Sequence, residues 1–283
     1  MRPSSPPAPA REARLAGLRR SLARLERPVF ADPAGGAAAE QDWQLGDDAL
    51  ETALPAGALP RGRLHEVMPA SHDDSASATG FLAALVARLR DGPGPKAVLW
   101  CVRAVDNGEF GRLYAPGLAA FGLAPEDLLL AEIGRDQDVL WALEEGLKSR
   151  ALCCAVGELD DLDLTASRRL DLAAQKSGST PLVLRLGRQP GASAAWTRWR
   201  IAAAASGPDR HDSRAPGAWR WQATLQRTRA GGPPRTWLLE WQHETHRFAV
   251  ASRLADRPLA ARAPLAVTAG ESRTDIAPRR LGA

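Results

Sequence analysis

Short apolar runs alternate with amphipathic segments through the middle of this chain. The apolar runs predict strands over residues 64–68, 97–102, 128–131, 152–156 and 180–186, and the segments between them predict helices over roughly 79–90, 113–121, 139–149 and 165–178. Nearly continuous apolar strands separated by helices are typical of a parallel sheet that is covered on both faces. The pattern therefore predicts an α/β fold with a doubly wound, mostly parallel sheet.

After residue 187 the helical segments stop and a strand pattern takes over. Strands are predicted over 197–205, 219–229 and 236–242, with a turn of sequence AGGPPR between the last two, which indicates an antiparallel β-hairpin at the end of the sheet. Trp219 and Trp221 share one face of their strand because side chains repeat with a period of two. That face belongs either to the core, which is the favoured interpretation, or to an interface. If the hairpin forms an interface, Trp237 and Trp241 on its other strand are candidate partner-binding residues.

The N-terminal region predicts a basic amphipathic helix between two irregular segments. Residues 1–10 are rich in Pro, Ser and Ala and are expected to be disordered, whereas leucines at helical spacing with intervening arginines occupy 11–27. The helix packs on its own domain, docks in a partner's groove or lies on nucleic acid. Its candidate partner-binding residues are Leu15, Leu18, Leu22 and Leu25. We divide the chain into an N-terminal region 1–42, a main domain 43–256 and a flexible basic tail 257–283.

Composition narrows the class of protein. The 283 residues carry a formal net charge of +4, mostly from an excess of arginine, which permits a nucleic acid or an acidic protein as partner. No apolar run approaches the roughly 20 residues that span a bilayer, and the N-terminus does not have the pattern of a secretory signal, so we expect a cytoplasmic protein. Cys101, Cys153 and Cys154 lie in apolar runs without metal-ligand spacing, which predicts core packing.

One turn resembles the entry to the core of the RecA family. An acidic, leucine-containing segment leads into AGALPRGRLHEV, in which Gly57, Leu59, Pro60, Gly62 and Arg63 match the family's turn before its first strand. Within the RecA-like group, the segments LYAPGLAAFGL, LWALEEGL, LTASRRLDLAAQKSG and SAAWTRWRIAAA resemble the ImuA family. The resemblance implies a RecA-like fold and an accessory role in SOS-induced mutagenesis. The implied partners are an ImuB-like Y-family polymerase homologue and, indirectly, the α subunit of an error-prone replicative-type polymerase, with RecA or single-stranded DNA as further candidates.

The nucleotide-binding motif of that family is missing. A P-loop surrounds phosphates with backbone N–H groups and a lysine, but the corresponding stretch here contains no lysine and places Asp73 and Asp74 where phosphates would approach. Carboxylates about 4 Å from a triphosphate would repel it by several kcal/mol. Arg103 stands where active relatives carry an acid, and Glu158 follows Gly157 where their magnesium-associated aspartate is expected. We therefore predict no catalytic residue, no nucleotide cofactor and no metal.

Other polar groups have ordinary explanations and candidate roles. Ser75, Ser77 and Thr79 are predicted to cap a helix N-terminus, and the acidic run from Glu158 to Asp163 to favour a helix dipole rather than a metal. The next loop carries the candidate DNA contacts Arg188, Arg198 and Arg200. Trp196 and Trp199 near them would stack on bases or, as is favoured, belong to the core.

The leading hypothesis is a non-catalytic RecA-like adaptor that assembles a translesion polymerase complex. Two alternatives stay open at this point. One is an atypical ATPase that uses Asp106, Glu109 or Glu158 in a remodelled site. The other is a SulA-like inhibitor of cell division with the same core.

Overall fold

One sheet of nine strands organises the computed structural model, which describes residue 17 and residues 42–54, 57–103, 113–187, 191–207, 209, 211–212 and 214–254. The strands are β1 His65–Pro69, β2 Ala97–Arg103, β3 Leu128–Ile133, β4 Leu152–Leu159, β5 Thr180–Arg185, β6 Thr197–Ala204, β7 Arg220–Thr228, β8 Arg235–Gln242 and β9 Arg247–Leu254. The helices are α1 Asp48–Glu51, α2 Ser75–Arg90, α3 Ala115–Ala119, α4 Asp136–Lys148 and α5 Leu164–Ser177, with 3₁₀ turns at His72–Asp74 and Pro125–Asp127.

The sheet has a parallel half and an antiparallel half that meet at β6. Its strand order is β3-β2-β4-β5-β1-β6-β7-β8-β9. All pairs from β3 to β6 are parallel, and β6-β7, β7-β8 and β8-β9 are antiparallel. The structure thus confirms a RecA-like α/β fold with an antiparallel C-terminal extension.

Helix α2 packs on one face of the sheet and anchors the larger core. Phe81 is its central aromatic residue, with ring-centroid distances of 5.6 Å to Trp199 on β6, 5.7 Å to Trp221 on β7 and 5.3 Å to Phe248 on β9. On the opposite face, α4 and α5 cover β2, β4 and β5 with a second, smaller core. One apolar layer therefore joins the parallel half to the antiparallel half, whereas the other serves the parallel half.

The predicted elements agree with the structure in type and order, but several of them begin or end at other residues than predicted. Helix α2 begins four residues earlier than predicted, at Ser75. Helix α5 ends before Gly178, whose left-handed φ of 81° is typical of a glycine at a helix C-terminus. Strand β9 was not predicted, because its alternation is carried by only Phe248 and Val250 and no Gly or Pro turn precedes it.

The structure bears on two predictions, one for the cysteines and one for membrane-spanning helices. Cys101, Cys153 and Cys154 are free thiols buried in the sheet, as predicted, and burial raises the pKa of the Cys101 thiol. Among the helices of the described ranges, none is both long and apolar enough to cross a membrane.

His65 is a buried histidine, and burial favours its neutral form. Its Nε2 lies 2.9 Å from the carbonyl oxygen of Pro60, and its Nδ1 lies 2.8 Å from Oγ1 of Thr197. A carbonyl only accepts, so Nε2–H donates to Pro60 and Nδ1 accepts from the Thr197 hydroxyl. Burial lowers the pKa of His65 from 6.5 to about 4.

This pKa makes stability depend on pH in a defined window. Between pH 6.5 and about 4 the unfolded chain binds a proton that the folded imidazole does not. The free energy of unfolding should therefore fall by about 3 kcal/mol as the pH drops through this window. Urea unfolding of the natural protein and of His65→Gln at several pH values measures the difference between them. Parallel curves for the two proteins would contradict the assignment.

Phe81 should be one of the costliest side chains to remove. Phe81→Ala leaves a cavity among three aromatic rings, so we expect the free energy of unfolding to drop by about 3–5 kcal/mol. Leu172→Ala is the matched control, because Leu172 is 56% exposed on α5, and it should cost under about 0.5 kcal/mol. Urea unfolding measures both, and equal losses would show that α2 does not anchor this core.

Candidate functional site

The turn from β1 to α2 is closed by a carboxylate. In open α/β sheets ligands bind outside the carboxyl ends of the strands, and this turn lies there. The Asp74 carboxylate accepts hydrogen bonds from Ser71 N (3.0 Å), Ser71 Oγ (2.6 Å) and Ala203 N (2.8 Å). Asp74 is buried, so these three donors satisfy a charge that water barely reaches. The same bonds tie the turn to β6.

The hydroxyl groups of Ser75 and Thr79, which follow this turn, do not make the capping hydrogen bonds that were predicted for them. Ser75 Oγ donates to the carbonyl oxygen of His72 (2.6 Å), and Thr79 Oγ1 donates to that of Ser75 (3.1 Å). The prediction that they cap the helix by accepting from its N–H groups is wrong for these two residues, because Ser71 and Asp74 close the turn first. No lysine or arginine occurs between Met68 and Arg88, so the sequence around the turn supplies no cationic side chain.

Charged groups at the ends of β2 and β4 contact one another. The guanidinium group of Arg103 contacts Asp160, and its Nη1 lies 3.6 Å from Oδ1 of Asp136. Glu158 accepts from Trp100 Nε1 (3.2 Å) and from the Arg103 backbone N–H (3.3 Å). These bonds hold Arg103 and Glu158 in place between the two strands.

The exposed charge along this edge is acidic. The side chains of Asp160 and Asp161 are 56% and 68% exposed, whereas their partners Arg103 and Arg185 are only 12% and 1% exposed. Asp163 caps α5 by accepting from Ala166 N at 2.7 Å, as the helix-dipole interpretation predicted. Within the described ranges, no three His, Cys, Asp or Glu side chains group in a way that could hold a metal ion.

An apolar cleft of about 580 Å³ opens beside these groups. It lies between the first half of α2, helix α3 and the adjoining ends of β6 and β7, and this volume is within the range of ligand-binding pockets. Its two cationic side chains are already paired, Arg103 with Asp160 and Arg220 with Glu240. The side chains that give the cleft its apolar character are Ala76, Ala83, Leu118, Phe121, Leu184 and Trp221.

Two aromatic side chains stand exposed at this cleft. Tyr114 on the residue before α3 is 70% exposed, and Trp219 is 39% exposed. The Trp219 ring lies 4.6 Å from Phe121 and 4.4 Å from His243 between centroids, so neighbouring rings fix its position. The cleft therefore offers apolar and aromatic contact more than it offers positive charge.

Comparison with known proteins identifies the family. Over 232 residues the chain is 37% identical to Protein ImuA of Caulobacter vibrioides strain NA1000 / CB15N, an alignment that covers 77% of this chain and 91% of the relative. Protein ImuA of strain ATCC 19089 / CIP 103742 / CB 15 matches to the same extent. The chain belongs to the ImuA family. No protein-family model matches it.

The structure describes two of the three candidate DNA contacts of this ImuA family member, and both form hydrogen bonds within the fold. Arg198 Nε lies 2.7 Å from Oε2 of the fully buried Glu66, and Arg200 donates to the carbonyl oxygen of Ala70 at 2.7 Å. Arg188 lies outside the described residues. Trp199 is fully buried, which confirms that it belongs to the core. The Arg63 guanidinium group lies over the Trp196 ring, 4.9 Å from the ring centroid.

The candidate partner-binding residues form two groups, two tryptophans that the structure describes and four leucines that lie outside the described residues. Trp237 and Trp241 are 3% and 0% exposed in the core, so they present no accessible surface in this structure. Their interpretation as partner-binding residues is corrected for this conformation, because every second residue of β8 points toward α2. The leucines Leu15, Leu18, Leu22 and Leu25 lie outside the described residues.

Sequence reasoning did not single out three features of the site. Tyr114 is the one tyrosine of the chain, but nothing around it signals exposure. The hydrogen bonds of Asp74 to Ala203, and of Arg198 to Glu66, join residues more than 125 positions apart. Such pairs follow from the order of strands in the sheet and have no local signal.

Removing the Asp74 carboxylate should destabilise the turn. Asp74→Ala leaves the N–H groups of Ser71 and Ala203 without their acceptor, and we expect the free energy of unfolding to fall by about 2–3 kcal/mol. Asp73→Ala removes the exposed neighbouring carboxylate and should change it by under about 0.5 kcal/mol. Chemical unfolding compares the two variants, and an equal effect would show that the bonds of Asp74 carry no special weight.

Proposed function

We propose that this chain is a non-catalytic RecA-like adaptor in SOS-induced, error-prone translesion DNA synthesis in the cytoplasm. It acts with an ImuB-like Y-family polymerase homologue and, through it, with the α subunit of an error-prone replicative-type polymerase. Two findings support this proposal. The chain belongs to the ImuA family, and its sheet has the RecA-like architecture.

The observation that carries the proposal is the anchored carboxylate of Asp74. Active P-loop proteins leave the turn after the first strand open for phosphate and place a lysine there. Here that turn is closed by three hydrogen bonds to Asp74, and Asp73 adds a second, exposed carboxylate. A triphosphate brought to this turn would meet the carboxylates of Asp73 and Asp74, whereas the nearby Arg200 guanidinium group already donates a hydrogen bond to the carbonyl oxygen of Ala70. Nucleotide binding would also require breaking the bonds that hold the turn.

The groups that an atypical ATPase would use support the same proposal. Such an enzyme needs a carboxylate free to polarise water, but Glu158 accepts hydrogen bonds from Trp100 and from the Arg103 backbone. Arg103 occupies the equivalent of the acidic position and is paired with acids. Asp106 and Glu109, the other residues of that hypothesis, lie outside the described residues.

The proposal assigns partner contact to the N-terminal leucines and to surfaces other than the tryptophan core. Trp237 and Trp241 are excluded because burial removes them from reach. We assign no DNA contact to Arg198 or Arg200, since Glu66 and the Ala70 carbonyl hold their guanidinium groups. RecA and single-stranded DNA remain candidate partners through the other parts of the chain.

The proposal is tested by measuring whether the chain associates with the polymerase homologue and whether this association needs nucleotide. We expect the full chain, co-expressed with an ImuB-like protein, to copurify with it and to keep the same affinity with and without magnesium-ATP. Glu158→Gln should bind equally well, whereas an ATPase-driven assembly would weaken with this variant. Copurification and calorimetry measure the interaction. No association from soluble, folded protein would overturn the adaptor proposal.

A further inference from the structure

The cleft beside α2 concentrates the exposed apolar surface of the described residues. Four large apolar side chains are exposed in these ranges, namely Tyr114, Leu130, Leu172 and Trp219. The two aromatic ones both line this cleft, and the two leucines lie elsewhere, on β3 and α5. An apolar cavity with exposed aromatic residues at its edge is characteristic of a docking site for apolar side chains.

The charge next to the cleft defines the occupant further. Arg103 lines the cleft and contacts Asp136 and Asp160, so the acidic edge described above is continuous with it. The arginines of that edge are buried, whereas Asp160 and Asp161 are more than half exposed. The exposed potential is therefore negative, and a segment that is both apolar and basic is the complementary partner.

The chain contains such a segment at Arg11–Arg27. Its leucines share one face of the predicted helix and span about 15 Å from Leu15 to Leu25 at 1.5 Å per residue. Six arginines and two glutamates give this segment a net charge of +4, which equals that of the whole chain. The tail 257–283 is also basic, but of these two basic segments only residues 11–27 repeat leucines at helical spacing.

The segment is long enough to reach the cleft within its own chain. Residues 28–41 connect it to Asp42, and the described chain then passes the last turn of α2, where Arg88 Nε donates to the carbonyl oxygen of Gln44 at 3.3 Å. The cleft lies at the first turn of α2, about 24 Å away for a helix of 16 residues. A stretch of fourteen residues spans about 20 Å on average as a random coil and about 46 Å when extended.

We propose that Arg11–Arg27 docks in the cleft between α2, α3 and β7 of its own chain. The leucines insert beside Tyr114 and Trp219, and the arginines lie toward Asp160 and Asp161. A partner that uses the cleft must then displace this segment, and a partner that binds the leucines themselves must first draw them out of the cleft. The inference does not depend on the adaptor proposal, because both surfaces belong to the same chain and no partner is needed to test it.

Cross-linking in the full chain tests the docking. Cysteines are introduced at Ser21, beside the leucine face, and at Ala76, which is exposed in the cleft, and are joined with a short bismaleimide. The control pairs Ser21→Cys with Leu172→Cys on α5, on the other face of the sheet. The native cysteines are buried and should react slowly. We expect an intramolecular yield at Ala76 at least about tenfold above the control, because docking raises the effective concentration.

Variants of the segment separate docking from chance contact. Leu18→Asp with Leu22→Asp should reduce the Ser21–Ala76 cross-link to the control yield, whereas Ala16→Asp with Ala23→Asp adds the same charge away from the leucine face and should leave most of it. Equal yields at Ala76 and Leu172 would overturn the proposal. Products that are only intermolecular would also overturn it and would assign the cleft to a second copy. Retention of the cross-link in the leucine variants would show that the leucines do not bind the cleft.

Discussion

The Asp74 carboxylate imposes the constraint on which the functional end of this molecule depends. It joins the turn after β1 to the end of β6, the strand at which the sheet changes from parallel to antiparallel. The turn is thereby fixed without a ligand, and α2 starts from a defined point. In a P-loop protein the corresponding backbone is arranged around phosphate. Here a negative side chain performs the structural part of that task, which leaves an apolar cleft beside α2 instead of a cationic cradle.

The tryptophans explain how the antiparallel extension is held. Trp199, Trp221, Trp237 and Trp241 all point toward the α2 face, where Phe81 and Phe248 pack among them. Aromatic rings bury a large area per residue and so stabilise a layer that α2 alone could not cover. This arrangement buries nearly all of the aromatic surface of β6–β9. Among the aromatic residues that the structure describes, Trp219 and Tyr114 are the exposed ones, and both line the same cleft.

The sequence predicts the fold better than it predicts the site, for a physical reason. Strand and helix periodicity is local, so the α/β alternation and the C-terminal hairpin were predictable from residue spacing, whereas β9 has too short an alternation to be recognised. The role of a charged residue depends on its partner. Arg198 follows a loop that contains Arg188 and suggests phosphate binding, yet its partner Glu66 lies one strand away in the sheet and 132 positions away in the chain. Trp237 and Trp241 could be assigned to a strand face from sequence, but which face α2 covers follows only from the topology.

We propose that this RecA-like scaffold has replaced phosphate binding by a self-contained turn. Calorimetric titration of the full, folded chain with magnesium-ATP tests it most directly. We expect no measurable heat of binding at nucleotide concentrations that saturate an active relative. Tight binding at residues 71–80, accompanied by turnover that Glu158→Gln abolishes, would contradict it.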